Sequence, residues 1–122
     1  MKNISESELE VMQVLWKNGE STSIDIVKEV AKKKEWKSNT IMTLVSRLVS
    51  KGFIEVIRDK GALLLYKPVI SEYNYKSKET NNFIDRMYEG SLNNMLVAFA
   101  KSKQLTKQDL QDLMKLIDEE DE

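Results

Sequence analysis

The chain contains no cysteine and no histidine. Their absence excludes disulfides, zinc sites built on thiolate or imidazole, Cys–His nucleophilic centres and histidine acid–base chemistry. No apolar run approaches the roughly 18 residues a membrane helix requires, and the N-terminus has no apolar signal core. The expectation is a soluble, cytoplasmic protein with no direct membrane insertion, and the lack of cysteine fits a reducing compartment. Internal repeats, low-complexity tracts and glycine-rich linkers are also missing, as are a Walker loop, a Rossmann fingerprint and a serine elbow. The carboxylates form no distinctive constellation, and surface charge or helix capping explains most of them. No enzymatic activity, cofactor or metal is therefore expected, with a small metal-dependent nuclease as the enzymatic alternative.

Net charge is also nearly absent, at -1 over 122 residues, and gives no overall hint of a polyanionic partner. Its distribution is more informative. Residues 1–70 hold 12 Lys and Arg against 9 Asp and Glu, a net of +3, whereas residues 71–122 hold 7 against 11, a net of -4. Between residues 32 and 60 the balance is 8 against 3, or +5. A partner meets local charge, not the total. The 41% hydrophobic content is enough for a folded core.

Ser5 and Glu8 have capping-box spacing, with Ile4 and Leu9 placed as a hydrophobic staple, so a first helix begins there. Leu9, Met12, Leu15 and Trp16 make its apolar stripe, and Gly19 ends it. A second helix starts near Ser21 or Thr22, turns Ile26, Val27 and Val30 inward, and ends in the basic "AKKKEWK", read as a solvated surface run. The third helix is "SNTIMTLVSRLVSKG", with Ser38 as cap and Gly52 at the C-terminal stop. Ile41, Leu44, Val45 and Leu48 recur at i, i+3, i+4, i+7 and share its buried face. Two short strands, "FIEVI" and "ALLLYKPV", follow around a tight turn at Asp59, Lys60 and Gly61, with Pro68 at a strand end or edge.

From about Ser71 the pattern is helical again. A long helix carries Tyr75, Phe83, Ile84, Met87 and Tyr88, and Gly90 interrupts it. A second segment presents Leu92, Met95, Leu96 and Phe99. A capping box at Thr106 and Asp109 opens a last helix with Leu110, Leu113, Met114, Leu116 and Ile117, before a frayed acidic tail at 118–122. About fifty residues with several amphipathic faces are short for an independent core. Self-association through Phe83, Ile84, Met87, Leu92, Leu96, Phe99, Leu113 and Ile117 is the expected remedy, and packing on the N-terminal module is the alternative.

Three helices and a hairpin, in this order, are the plan of a winged helix-turn-helix, whose third helix enters the DNA major groove. The fold expected is mainly α: a winged-helix DNA-binding domain over 1–70 and a helical dimerisation domain over 71–122. With the third helix's apolar stripe buried, Asn39, Thr40, Thr43, Ser46, Arg47 and Ser50 face outward, and Met42 lies nearer the flank. Short hydrogen-bonding groups with some positive charge suit a groove: Asn pairs with adenine, Arg with guanine, and a threonine methyl meets a thymine methyl, while Ser and Thr can instead bind phosphate. Arg47 could bind phosphate, read a base or form a structural ion pair, with phosphate preferred. Lys51, Arg58 and Lys60 are candidates for backbone contacts near the wing, or ordinary surface cations. A winged-helix module that binds protein is the alternative.

"ISESELEVMQVLW", "TIMTLVSRLVSKGFI" and "NNFIDRMYEG" together resemble the BlaI/MecI family of bacterial repressors, in order over residues 4–117. The resemblance implies a homodimer that binds palindromic double-stranded operator DNA and represses β-lactam-resistance genes; a repressor of the same fold controlling unrelated genes is the alternative. The family's Thr-Ile/Val-x-Thr-Leu-x-x-Arg-Leu pattern is matched by Thr40, Ile41, Thr43, Leu44, Arg47 and Leu48, so the resemblance assigns DNA contact to Thr40, Thr43 and Arg47. Asn39 stands where proline or lysine is frequent, and Met42 where arginine is common. The resemblance further implies inactivation by a membrane sensor-protease or its downstream protease, at a bond that matches Ala98–Phe99, with Ala98 in place of the familiar asparagine. A related copper-responsive family carries C-terminal cysteines, which this chain lacks.

Overall fold

The computed structural model describes residues 3–59, 61 and 63–120. Its elements run α1 (Glu6–Asn18), α2 (Ser23–Ala31), α3 (Ser38–Ser50), β1 (Ile54–Arg58), β2 (Leu64–Pro68), α4 (Glu72–Tyr88), α5 (Leu92–Lys101) and α6 (Lys107–Glu120). The chain divides into two compact units, Met1–Tyr75 and Lys76–Glu122.

The first unit is a winged helix. Its core is Val11, Met12 and Leu15 of α1, Ile26 and Val30 of α2, Ile41, Leu44, Val45 and Leu48 of α3, and Ile54 of β1. The α1 capping box is complete: the Glu8 amide donates to Ser5 Oγ at 3.1 Å and the Ser5 amide to Glu8 Oε1 at 2.8 Å. The buried stripe of α1 is Glu8, Val11, Met12 and Leu15, one position round from the sequence-based stripe. Leu9 and Trp16 lie at the rim, partly buried against the core. An indole N–H needs a partner, and the rim provides one: Trp16 Nε1 donates to the Ile70 carbonyl at 2.9 Å. Thr22 caps α2 through the Asp25 amide.

The start of α3 differs from expectation. Lys37, not Ser38, is its extended N-cap residue, because the Lys37 carbonyl already accepts the Ile41 amide at 3.1 Å, which places Ser38 inside the helix. Its end is a Schellman motif: the Phe53 amide donates to Leu48 O and the Gly52 amide to Val49 O. Gly52 at φ 86° supplies the left-handed residue this requires.

β1 and β2 pair antiparallel, with Arg58 opposite Leu64 and Ile54 opposite Pro68, which ends the strand. The connection is longer than a tight turn. Asp59 Oδ1 accepts the amides of Gly61 and Leu63, both at 2.9 Å; Lys60 lies outside the described residues. On its other edge β2 bonds to Ser21 through Tyr66, a tie between the α1–α2 connection and the wing. Tyr75 packs on Trp16 and Phe53, with ring centroids 5.6 and 6.4 Å away. Both contacts lie within the first unit, which runs to Tyr75.

In the second unit α4 ends at a reversal through Glu89 and Gly90, with φ of 50° and 82°. Ser91 caps α5 through the Asn94 amide, and Thr106 and Asp109 form the reciprocal capping box of α6. Those bonds from Thr106 hold the Asp109 carboxyl below its ordinary value. The helix continues to Glu120, through residues expected to fray. Among the described residues of this unit only Ile84 and Met95 are buried.

Candidate nucleic-acid interface

Two stripes of equal period divide α3. Ile41, Leu44, Val45 and Leu48 are buried, while Asn39, Met42, Thr43 and Ser46 recur at the same spacing around a shallow groove of about 370 Å³. Asn39, Thr40, Thr43, Ser46 and Arg47 are all exposed, so the expected outward residues share one accessible surface. Met42 is half-buried and belongs to that surface more than to its flank. It also lines a larger groove of about 550 Å³ with Ser23, Ile24, Val27, Lys28 and Ser38, between the first turns of α2 and α3. The 39-42-43-46 spacing signals Met42 in the sequence; the contribution of α2 does not show there, because it depends on how two helices cross.

Among the described residues Arg47 forms no ion pair. The amide end of α3 is similarly open. Its N-cap makes no side-chain bond and its first turn holds no acid, whereas α1, α2 and α5 are each capped by a hydroxyl. Free amides at a helix start, with Lys37 beside them, favour an anion. Thr43 Oγ1 donates to the Asn39 carbonyl at 2.8 Å, so its proton is already engaged.

Lys51 is placed otherwise than expected. Its ammonium donates to Glu8 Oε1 at 2.6 Å and to the Asn3 carbonyl at 3.0 Å, fastening the end of α3 to the start of α1. The Glu8 side chain is 1% exposed, and an ionised carboxylate there requires a counter-charge. Burial raises the Glu8 pKa most strongly, but the bonds and charge of Lys51 and the bonds from Ser5 together outweigh it and leave the carboxyl below its ordinary value. The wing cation Arg58 is exposed at the end of β1.

The basic run after α2 is also engaged. Lys32 pairs with Glu29 at 2.9 Å, and Lys34 approaches Glu10 at 3.9 Å and the Trp36 ring at 5.9 Å. Among the described residues no cluster of three or more His, Cys, Asp or Glu could hold a metal, and no helix is long and apolar enough to cross a membrane.

The residues expected to serve in dimerisation fall into two classes. Ile84 is buried and Phe83 is half-buried, 5.9 Å from Tyr88. Met87, Leu92, Leu113 and Ile117 are 43–59% exposed. Leu96, Ala98 and Phe99 are half-buried on α5, and Phe99 borders a groove with Glu79, Thr80, Phe83, Arg86 and Met95.

Residues 4–119 match the family model described as penicillinase repressor. The penicillinase repressor of Bacillus licheniformis is 34% identical over 116 residues, 95% of this chain and 90% of the relative. The methicillin resistance regulatory protein MecI of Staphylococcus aureus strain N315 is 31% identical over 114 residues, 93% of this chain and 92% of the relative. Among solved structures, the Bacillus licheniformis BlaI monomer in complex with the blaP half-operator aligns with a TM-score of 0.54 at 36% identity, over 61% of this chain and 89% of that one. The DNA-binding domain of the repressor BlaI aligns with a TM-score of 0.52 at 37% identity, over 62% and 94%.

Proposed function

The chain belongs to the penicillinase repressor family, and from that premise we propose that it is a dimeric, sequence-specific DNA-binding repressor of β-lactam-resistance genes. The observation that carries this reading is the exposed, nearly uncharged hydrogen-bonding face of α3, set over a buried stripe of the same period in a winged helix. Asn39, Thr40, Ser46 and Arg47 meet base edges or phosphates, the open amide end of α3 and Lys37 take a phosphate, and Arg58 on the wing adds charge. Two protomers would place their α3 helices one helical turn apart, roughly 34 Å, on a pseudo-palindromic site. Repression follows from occupying a promoter, and the cytoplasm is where such a protein acts.

The reading is tested by fluorescence anisotropy of the full chain against duplexes selected from a random library. Nanomolar binding to a symmetric site is expected; no binding at low salt would overturn it. Arg47→Ala should weaken binding about tenfold and, where the contact is to phosphate, lower the salt slope by about 0.9.

Release from DNA is assigned to cleavage at Ala98–Phe99 by a membrane sensor-protease or a protease downstream of it. The bond lies towards the C-terminal end of α5, where the Ala98 carbonyl accepts the Ser102 amide at 3.0 Å. A protease must unwind that turn, and helix ends open at least cost. Cutting there severs α6 from α4. Intact-mass analysis after β-lactam exposure of producing cells should find fragments ending at Ala98; an undivided chain in derepressed cells would reject this route.

A further inference from the structure

The outward face of α3 has fewer hydrogen-bond donors than its composition implies. The Thr43 hydroxyl is spent on the Asn39 carbonyl, so what it offers a ligand is an acceptor oxygen and a methyl group. Met42 has no donor and ends in a methyl on a flexible, polarisable thioether. The two border the same groove, and Met42 also connects it to the apolar one that Ile24 and Val27 line from α2. Ile24 is 76% exposed, a large apolar side chain left in water at the edge of the recognition face. Lys28 and the hydroxyls of Ser23 and Ser38 rim this surface.

On the reading that α3 enters the major groove, we propose that Met42 and Thr43 are an apolar reader of the thymine 5-methyl group, which makes Met42 a specificity-determining residue. Among the base edges presented in that groove, only thymine carries a methyl. A donor-poor patch of methyl groups suits it and gives nothing to guanine, whose acceptors call for a cation. The surface is continuous with the exposed stripe of α3, and the Lys28 ammonium at its rim complements the phosphates that flank a groove. The absence of a donor at position 42 thus becomes a preference rather than a lost contact.

The test uses the full chain and a duplex selected from a random library, with each thymine replaced in turn by deoxyuridine, which removes only the methyl. At one or more thymines in each half-site, affinity should fall roughly fourfold, the worth of one buried methyl-sized group. Met42→Ala should still bind the parent duplex, with its thymine-to-deoxyuridine ratio at that position near one, while Met42→Leu keeps the ratio. Equal affinity of the unmodified protein for every substituted duplex, or an undiminished ratio in Met42→Ala, would overturn the proposal while DNA binding stood. Failure to bind any duplex at low salt would overturn both.

Discussion

Lys51→Met should lower the stability of the first unit by about 3 kcal/mol, the low end of the roughly 3–5 kcal/mol lost when one partner of a buried ion pair is removed. The low end applies because the Lys51 side chain is 32% exposed, and water can partly reach the carboxylate it leaves. Glu8 itself is 1% exposed and would be left with its bonds from Ser5 and no counter-charge from Lys51. Thermal unfolding should shift by about 12–24 °C for a domain of this size. Glu8→Gln combined with Lys51→Met should recover most of the loss, since glutamine still accepts the Ser5 amide and no unpaired charge remains. The pH dependence has a definite sign. A carboxyl held below its ordinary value of 4.5 in the folded state contributes stability that is full above that value and is lost as the pH falls through the lowered one. Unfolding midpoints of the unmodified protein should therefore drop on acidification below about pH 4.5, and less so in the double variant. Unchanged stability in Lys51→Met, together with a salt slope of DNA binding reduced by about 0.9, would instead make Lys51 a phosphate contact.

That pair marks the boundary of what the sequence makes legible. Features set by neighbours along the chain could be read: the reciprocal caps at Ser5/Glu8 and Thr106/Asp109, the Gly52 stop, and the Ile41, Leu44, Val45, Leu48 stripe all depend on spacings within two helical turns. Glu8 to Lys51 spans 43 positions, and nothing local to either residue announces it. The same applies to Tyr66, which bonds Ser21 across the edge of the hairpin, and to Tyr75, whose ring packs against Trp16 and edge-on against Phe53. Smaller differences come from competition at one site. Val11 rather than Leu9 enters the core because the buried stripe of α1 is centred by the capping glutamate, and Trp16 is kept at the rim by its N–H. The outward face of α3 was legible as a set of positions. Which of its donors are already spent, as at Thr43, required coordinates.

The second large effect concerns assembly. On α6, Leu110, Leu113, Met114 and Ile117 recur at i, i+3, i+4, i+7, the period that buries α3, yet here they are 43–62% exposed. With only Ile84 and Met95 buried among its described residues, this unit has little apolar interior of its own. A stripe of that period left in water is destabilising unless a second surface covers it, and on the proposed dimeric reading a copy of the same chain would supply a self-complementary one. Leu113→Glu with Ile117→Glu places two carboxylates on that stripe without touching Ile84 or Met95, so the helices of each protomer should persist by circular dichroism while the dimer dissociates. Solution mass across a dilution series should read as monomer in the variant and dimer in the unmodified chain. The effect on DNA should exceed that of any single contact. A dimer binds its second half-site at an effective concentration set by the linkage, and losing that linkage costs about 10²–10⁴ in affinity. Binding to an isolated half-site should change little, because α3 and its grooves are unaltered. A variant that remains dimeric at full operator affinity would remove α6 from the interface, whereas a monomer that keeps full affinity would show that the two half-sites are read independently.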